Sequence, residues 1–156
     1  MIRTDNIKTV TKLITWIGEC TQDEMLSAHK DHIGGTILVV DDEPEILRAL
    51  VMRLTRAGHR CIEATDGIGA AEMAKAYNPD VVLLDIGMPN GDGHTTALSL
   101  ASHVTTMRVP IIYLTARTGV DDRQKALAFH AFDYITKPYT PARVLDAVER
   151  ALAAYR

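Results

Sequence analysis

Three aspartates, a lysine and a threonine carry the chemistry this sequence can support. Asp85 ends the apolar run Val81-Val82-Leu83-Leu84, and the turn-rich segment Ile86-Gly87-Met88-Pro89-Asn90-Gly91-Asp92-Gly93 follows it. Asp41 and Asp42 follow a second apolar run, Ile37-Leu38-Val39-Val40; Thr115 ends a third, PIIYLT, and Lys137 follows DYIT. A carboxylate at the end of a buried strand is costly unless something pairs with it. Three carboxylates drawn together repel, which raises pKa values or invites a cation. Oxygen-only ligation from carboxylates and water suits Mg2+ better than a softer metal. Lys137 can balance the charge and act as a point charge toward a phosphate. Thr115 can donate its hydroxyl to a phosphoryl oxygen. A carboxylate nucleophile, a metal, a lysine and a hydroxyl are the parts needed to form an aspartyl phosphate, with the two cations neutralising the oxygens in transfer.

These groups work only if the chain carries them to one edge. Each apolar run is short and rich in branched residues, which reads as a strand buried on both faces. Between the runs lie helical patterns. Pro44 suits a first turn, and Ile46, Leu47, Leu50, Val51 and Leu54 make an apolar face that ends at Gly58. Residues 59–64 read as a strand, 68–77 as a small-residue helix closed by Asn78-Pro79, and 94–102 and 121–129 as further helices. Residues 133–136 are a fifth strand. The last helix starts near Thr140 or Pro141, with Val144, Leu145, Val148 and Leu152 on one face. Five strands alternating with five helices imply a parallel sheet covered on both faces and doubly wound by right-handed crossovers. The working crevice then lies at the carboxyl ends of the strands.

At 156 residues the chain suits one domain with an appendage: 35–156 as the main domain, 1–34 as an N-terminal helical extension and linker. In the extension, Ile7, Val10, Ile14 and Ile17 share a helical face widened by Leu13 and Trp16. Thr21-Gln22-Asp23-Glu24 has the form of a capping box for a second short helix. The apolar stripe has three readings: packing on its own domain, pairing with another copy, or docking on a partner. A hydrophobic fraction of 47% and a charged fraction of 24% are those of a soluble globular protein. A net charge of -3 gives no footprint for nucleic acid, so no direct nucleic-acid binding is expected. Cys20 and Cys61 match no metal spacing and read as free thiols in a reducing compartment. No apolar run approaches the ~18 residues that span a bilayer. A cytoplasmic protein without membrane insertion is expected, with its histidines at the surface.

The set Asp41-Asp42, Asp85, Thr115-Ala116 and Lys137-Pro138 resembles the receiver domain of two-component response regulators. The phrases ILVVDDE, VVLLDIGMPNGDG, PIIYLTA and DYITKPY each resemble that family's segments, over about residues 36–155. The resemblance implies a flavodoxin-like five-stranded sheet in the order 2-1-3-4-5. It makes Asp85 the phosphoacceptor. Asp42 would bind Mg2+ directly, Asp41 directly or through water, and the Gly87 carbonyl would be a further ligand. Lys137 would contact the phosphoryl group and Thr115 would be drawn toward it. Tyr134 matches an aromatic switch that rotates inward, reshaping the face made by the helix at 121–129 (the fourth of the receiver), strand five and helix five. The donor would be a sensor histidine kinase or a histidine phosphotransfer protein, and the output a downstream protein on that face. A homodimer through the N-terminal helix or the same face stays open. Because the chain ends with the last helix, a single-domain regulator is expected. It would be no metabolic enzyme, catalysing only its own phosphorylation and dephosphorylation. A phosphorylation-independent interaction module, with the N-terminal helix as adaptor, is the alternative. His130, Phe132 and Gly91 depart from the family pattern outside the chemical set. Arg117 and Gly87, each two past a site residue, are placed to shield a phosphoryl group from water.

Overall fold

The computed structural model describes residues 34–89, 93–116 and 131–155. Its elements run β1 (Thr36–Val40), α1 (Pro44–Arg56), β2 (Arg60–Ala64), α2 (Gly67–Tyr77), β3 (Val81–Asp85), α3 (Gly93–Ala101), β4 (Ile111–Thr115), β5 (Ala131–Thr136) and α4 (Pro141–Tyr155). The strands form one sheet in the order β2-β1-β3-β4-β5, and every neighbouring pair is parallel. The expected strand order is therefore present, with four helices among the described residues. The helix expected at 121–129 and residues 1–33 of the expected extension lie outside them, as do Gly91, Arg117 and His130.

Successive strand residues face opposite sides, so each central strand feeds two cores. Ile37, Val39, Val81, Leu83, Ile112 and Leu114 meet Leu47, Leu50 and Leu54 of α1 and Val144, Val148 and Leu152 of α4. Leu38, Val40, Val82, Leu84 and Tyr113 meet Ala70 and Ala74 of α2 and Ala97 and Leu100 of α3. β1, β3 and β4 are buried throughout, which explains their unbroken apolar runs.

Local chemistry sets the element ends. Pro44 opens α1, where a missing N–H costs nothing. Gly58, at φ +94, turns the chain back toward β2, a conformation that favours glycine. Asp66 caps α2 by accepting from the Gly69 N–H at 2.7 Å, and Asn78 ends it in the left-handed region at φ 44.

The chain enters β1 through a tight seam. A Cβ on Gly34 would lie 2.5 Å from the Gly58 carbonyl oxygen, and one on Gly35 would collide with Leu152. Thr36 N–H donates to Asp80 Oδ2 at 2.7 Å. His59 corrects the expectation of surface histidines, being only 4% exposed. The turn at Gly58 folds it under the start of β1, where Nδ1 accepts from the Gly35 N–H at 3.2 Å. Nε2 lies 3.1 Å from Glu149 Oε1, without the alignment of a hydrogen bond. The backbone donor satisfies Nδ1 of the buried ring.

Candidate functional site

β1, β3 and β4 end at a common level, and their terminal residues define the site. β1 delivers Asp41 and Asp42, β3 delivers Asp85 and β4 delivers Thr115. β5 leads directly into Lys137, whose N–H donates to the Thr115 carbonyl at 2.7 Å. Each acid offers an oxygen that lies within 4.8 Å of the others. Asp41 and Asp85 are buried, and Asp42 is the most open of the three.

Backbone donors orient the two buried carboxylates. Glu43 N–H donates to Asp41 Oδ1 at 2.9 Å, and Gly87 N–H donates to Asp85 Oδ1 at 2.9 Å. The remaining oxygens meet one ammonium. Lys137 Nζ lies 3.1 Å from Asp41 Oδ2 and 3.2 Å from Asp85 Oδ2. Charge-assisted hydrogen bonds of this kind hold a flexible lysine in one place.

The electrostatics follow from that geometry. Burial pushes the Asp41 carboxyl above its ordinary range, and the nearby Asp85 charge adds to it. The Glu43 N–H and Lys137 oppose the rise without cancelling it. For Lys137, burial opposes the charge, but Asp41 and Asp85 outweigh burial and raise its pKa. The ammonium is thus fixed in its charged form beside the acids.

A pair of buried carboxylates with a third at the rim, all-oxygen and net anionic, fits a hard divalent cation such as Mg2+. Asp41, Asp42 and Asp85 would hold it, with the Gly87 carbonyl within the same turn as a further oxygen donor.

Thr115 is fully buried at the end of β4. Tyr134 is half-buried on β5 and packs against the core cluster on the α2–α3 side. Asp41, Asp42, Asp85 and Lys137 are therefore in direct contact or close proximity, Gly87 bonds to Asp85, and Tyr134 lies on β5 three residues before Lys137.

Two residues near the site carry no signal of their own in the sequence. Glu43 Oε1 lies 3.8 Å from Lys137 Nζ, a third acid on the same ammonium. Tyr139 is half-buried two residues past Lys137. Burial raises its hydroxyl pKa, Lys137 opposes the rise, and the site acids add to it. The adjacency of Glu43 to the acid pair was the one cue available for it.

Residues 37–149 match the family described as the response regulator receiver domain. The chain belongs to that family. It is 43% identical over 122 residues to the transcriptional regulatory protein KdpE of Mycobacterium tuberculosis, a match spanning 76% of this chain and 53% of that protein. It is 36% identical over 120 residues to the phosphate regulon regulator PhoB of Pseudomonas aeruginosa, spanning 77% and 52%. The chain thus spans about half the length of these curated relatives. Among solved structures, the chemotaxis response regulator CheY4 of Vibrio cholerae superposes with a TM-score of 0.72 at 28% identity, covering 76% of this chain and 99% of that one. The receiver domain of the sensor histidine kinase PA1611 of P. aeruginosa superposes with a TM-score of 0.71 at 31% identity, covering 77% and 98%. That structure carries a magnesium ion in its active-site cleft. The acid cluster of this receiver has the chemistry for the same ion.

Proposed function

We propose that this receiver accepts a phosphoryl group on Asp85 in a Mg2+-dependent reaction and uses it as a reversible conformational signal. The donor is a phosphohistidine of a sensor kinase or of a histidine phosphotransfer protein, which places the protein in the cytoplasm. An Asp85 carboxylate oxygen forms the new bond to phosphorus. The phosphorus–nitrogen bond of the donor breaks, and its electron pair leaves with the imidazole, which takes up a proton. Mg2+ held by Asp41, Asp42 and Asp85 would supply positive charge that neutralises the phosphoryl oxygens. The protein's own groups do the rest. The Gly87 N–H aims the nucleophile, Lys137 follows the negative charge from Asp85 onto the phosphoryl group, and the Thr115 hydroxyl meets another of its oxygens. Water attack on phosphorus returns the free carboxylate and inorganic phosphate, so catalysis is confined to the protein's own phosphorylation and dephosphorylation.

The contact of Lys137 with both Asp41 and Asp85 carries this reading, because it puts the nucleophile, a charge-neutralising ammonium and the acid pair at one point. The signal leaves through Tyr134, by a bias on β5 and α4, to a downstream protein. The test is phosphoryl incorporation from acetyl phosphate with Mg2+, read by intact mass. The unsubstituted chain gains one phosphoryl group and Asp85→Asn gains none. No gain in the unsubstituted chain would favour a phosphorylation-independent interaction module.

A further inference from the structure

Gly93 opens α3 against the phosphoacceptor strand. A Cβ there would lie 2.7 Å from the Asp85 carbonyl oxygen and 2.7 Å from Ile86 Cα, so the helix start and the strand end touch backbone to backbone. The next residue, His94, has both ring nitrogens buried. Its ring centroid is 6.1 Å from that of Tyr113, the planes inclined at 47°. Tyr113 is fully buried and is the register partner of Tyr134 across β4 and β5. Register partners in a parallel sheet project to the same face, and both tyrosines contact the α2–α3 core. Thr115, two residues beyond Tyr113, lies on that face as well.

Two physical routes therefore connect Asp85 to Tyr134. One is the path through Thr115 that the receiver reading implies. The other runs from Asp85 through the Gly93 backbone to His94, then Tyr113, then Tyr134. We infer that His94 and Tyr113 are positioning residues for the Tyr134 switch: His94 packs the Tyr113 ring, and Tyr113 sets the space into which Tyr134 moves. A close-packed interior does not deform continuously. A displacement of the Asp85–Gly93 contact is passed through the His94–Tyr113 ring pair to the neighbouring strand position of Tyr134, and removing one ring uncouples Tyr134 from the site without touching the chemistry. This inference rests on the receiver reading and on Tyr134 as the moving residue.

The test uses the full chain, Mg2+ and beryllofluoride as the phosphoryl mimic. The readout is the fraction of Tyr134 in its shifted state by NMR of 13C-labelled tyrosine, with the signal assigned through Tyr134→Phe. The variants are His94→Ala, His94→Phe and Tyr113→Leu, with incorporation from acetyl phosphate measured in parallel. The expected result is normal incorporation in all three. The shifted fraction falls about threefold to tenfold in His94→Ala and Tyr113→Leu, and His94→Phe restores it. A full Tyr134 shift in His94→Ala overturns the inference, as does an equal loss in His94→Phe. Should Tyr113→Leu fail to fold, the His94 pair decides alone. Absence of incorporation in the unsubstituted chain overturns the receiver reading and this inference together, an outcome distinct from loss of coupling alone.

Discussion

Lys137 and Asp85, 52 positions apart in sequence, meet with Nζ 3.2 Å from Oδ2, and the same ammonium lies 3.1 Å from Asp41 Oδ2. The lysine is the only cation among the described residues that these two buried acids are seen to contact. Removing one member of a buried ionic cluster leaves charge without compensation, at about 3–5 kcal/mol for a fully buried pair. The rim of this site is open to water, so Lys137→Ala is expected to lose about 2–3 kcal/mol in divalent-free buffer. Urea unfolding with and without Mg2+ checks this. The deficit should narrow when Mg2+ is added, since a cation that binds the folded form stabilises it. An unchanged midpoint without Mg2+ would show that the acids do not depend on the lysine.

Asp41 gives a pH dependence with a definite sign. Its folded pKa is raised above 3.8 by burial. Between 3.8 and the folded value, the folded chain holds more of this proton than the unfolded chain does. Its contribution is therefore complete below 3.8 and is lost as pH rises through the folded value. Lys137, also raised, keeps its contribution below 10.5 and loses it only above that value. Divalent-free denaturation of the unsubstituted chain across the acid-to-neutral range should show this descending limb, and Asp41→Asn should flatten it. An identical slope in the two proteins would remove Asp41 as its source.

Asp133 shows the opposite sign at the far edge of the sheet. Burial pushes its carboxyl up, but hydrogen bonds from Arg150, from the Tyr134 N–H and from Arg143 outweigh burial and lower it. Arg143 Nη2 reaches both carboxylate oxygens at 3.0 Å. The stability from this network is present above 3.8 and is lost as pH falls through the folded value. Because both arginines are substantially exposed, Asp133→Asn is expected to cost about 1–2 kcal/mol, less than a buried network would. The loss should shrink in high salt, and a salt-independent loss would assign it to packing instead.

The parts legible in the sequence were those carried by period and position. The runs Ile37–Val40 and Val81–Leu84 announce strands buried on both faces, and the acids that close them announce the site. The Asn78 stop and the Gly58 helix end are local signals that the backbone follows. What was not legible depends on tertiary closure. Arg143 and Arg150 come from α4 and Asp133 from β5, and nothing in their spacing says that they share a carboxylate. His59 reads as a surface residue at the start of a strand until the Gly58 turn places its ring under Gly35. Glu43 looks like a helix-start acid, and only the position of Lys137 makes it part of the site. Tyr113 reads as one more apolar strand residue, although its register partner is Tyr134.

Two glycines separate a backbone requirement from a requirement of the site. Gly58 has φ +94, and a Cβ there would meet nothing within 4 Å. Gly58→Ala should therefore cost only the conformational penalty, about 1 kcal/mol, and leave phosphoryl incorporation unchanged. The Cβ of Gly93→Ala would press on the Asp85 carbonyl oxygen and Ile86 Cα, two backbone atoms that no rotamer change can move. That crowding should cost about 1–3 kcal/mol. It should also slow incorporation, because relief requires shifting the strand end that aims the Asp85 carboxylate, and misplaced nucleophiles react slowly. Acetyl phosphate kinetics alongside thermal melts separate the two effects. Equal incorporation rates in Gly58→Ala and Gly93→Ala would mean that the α3 start does not help to position Asp85.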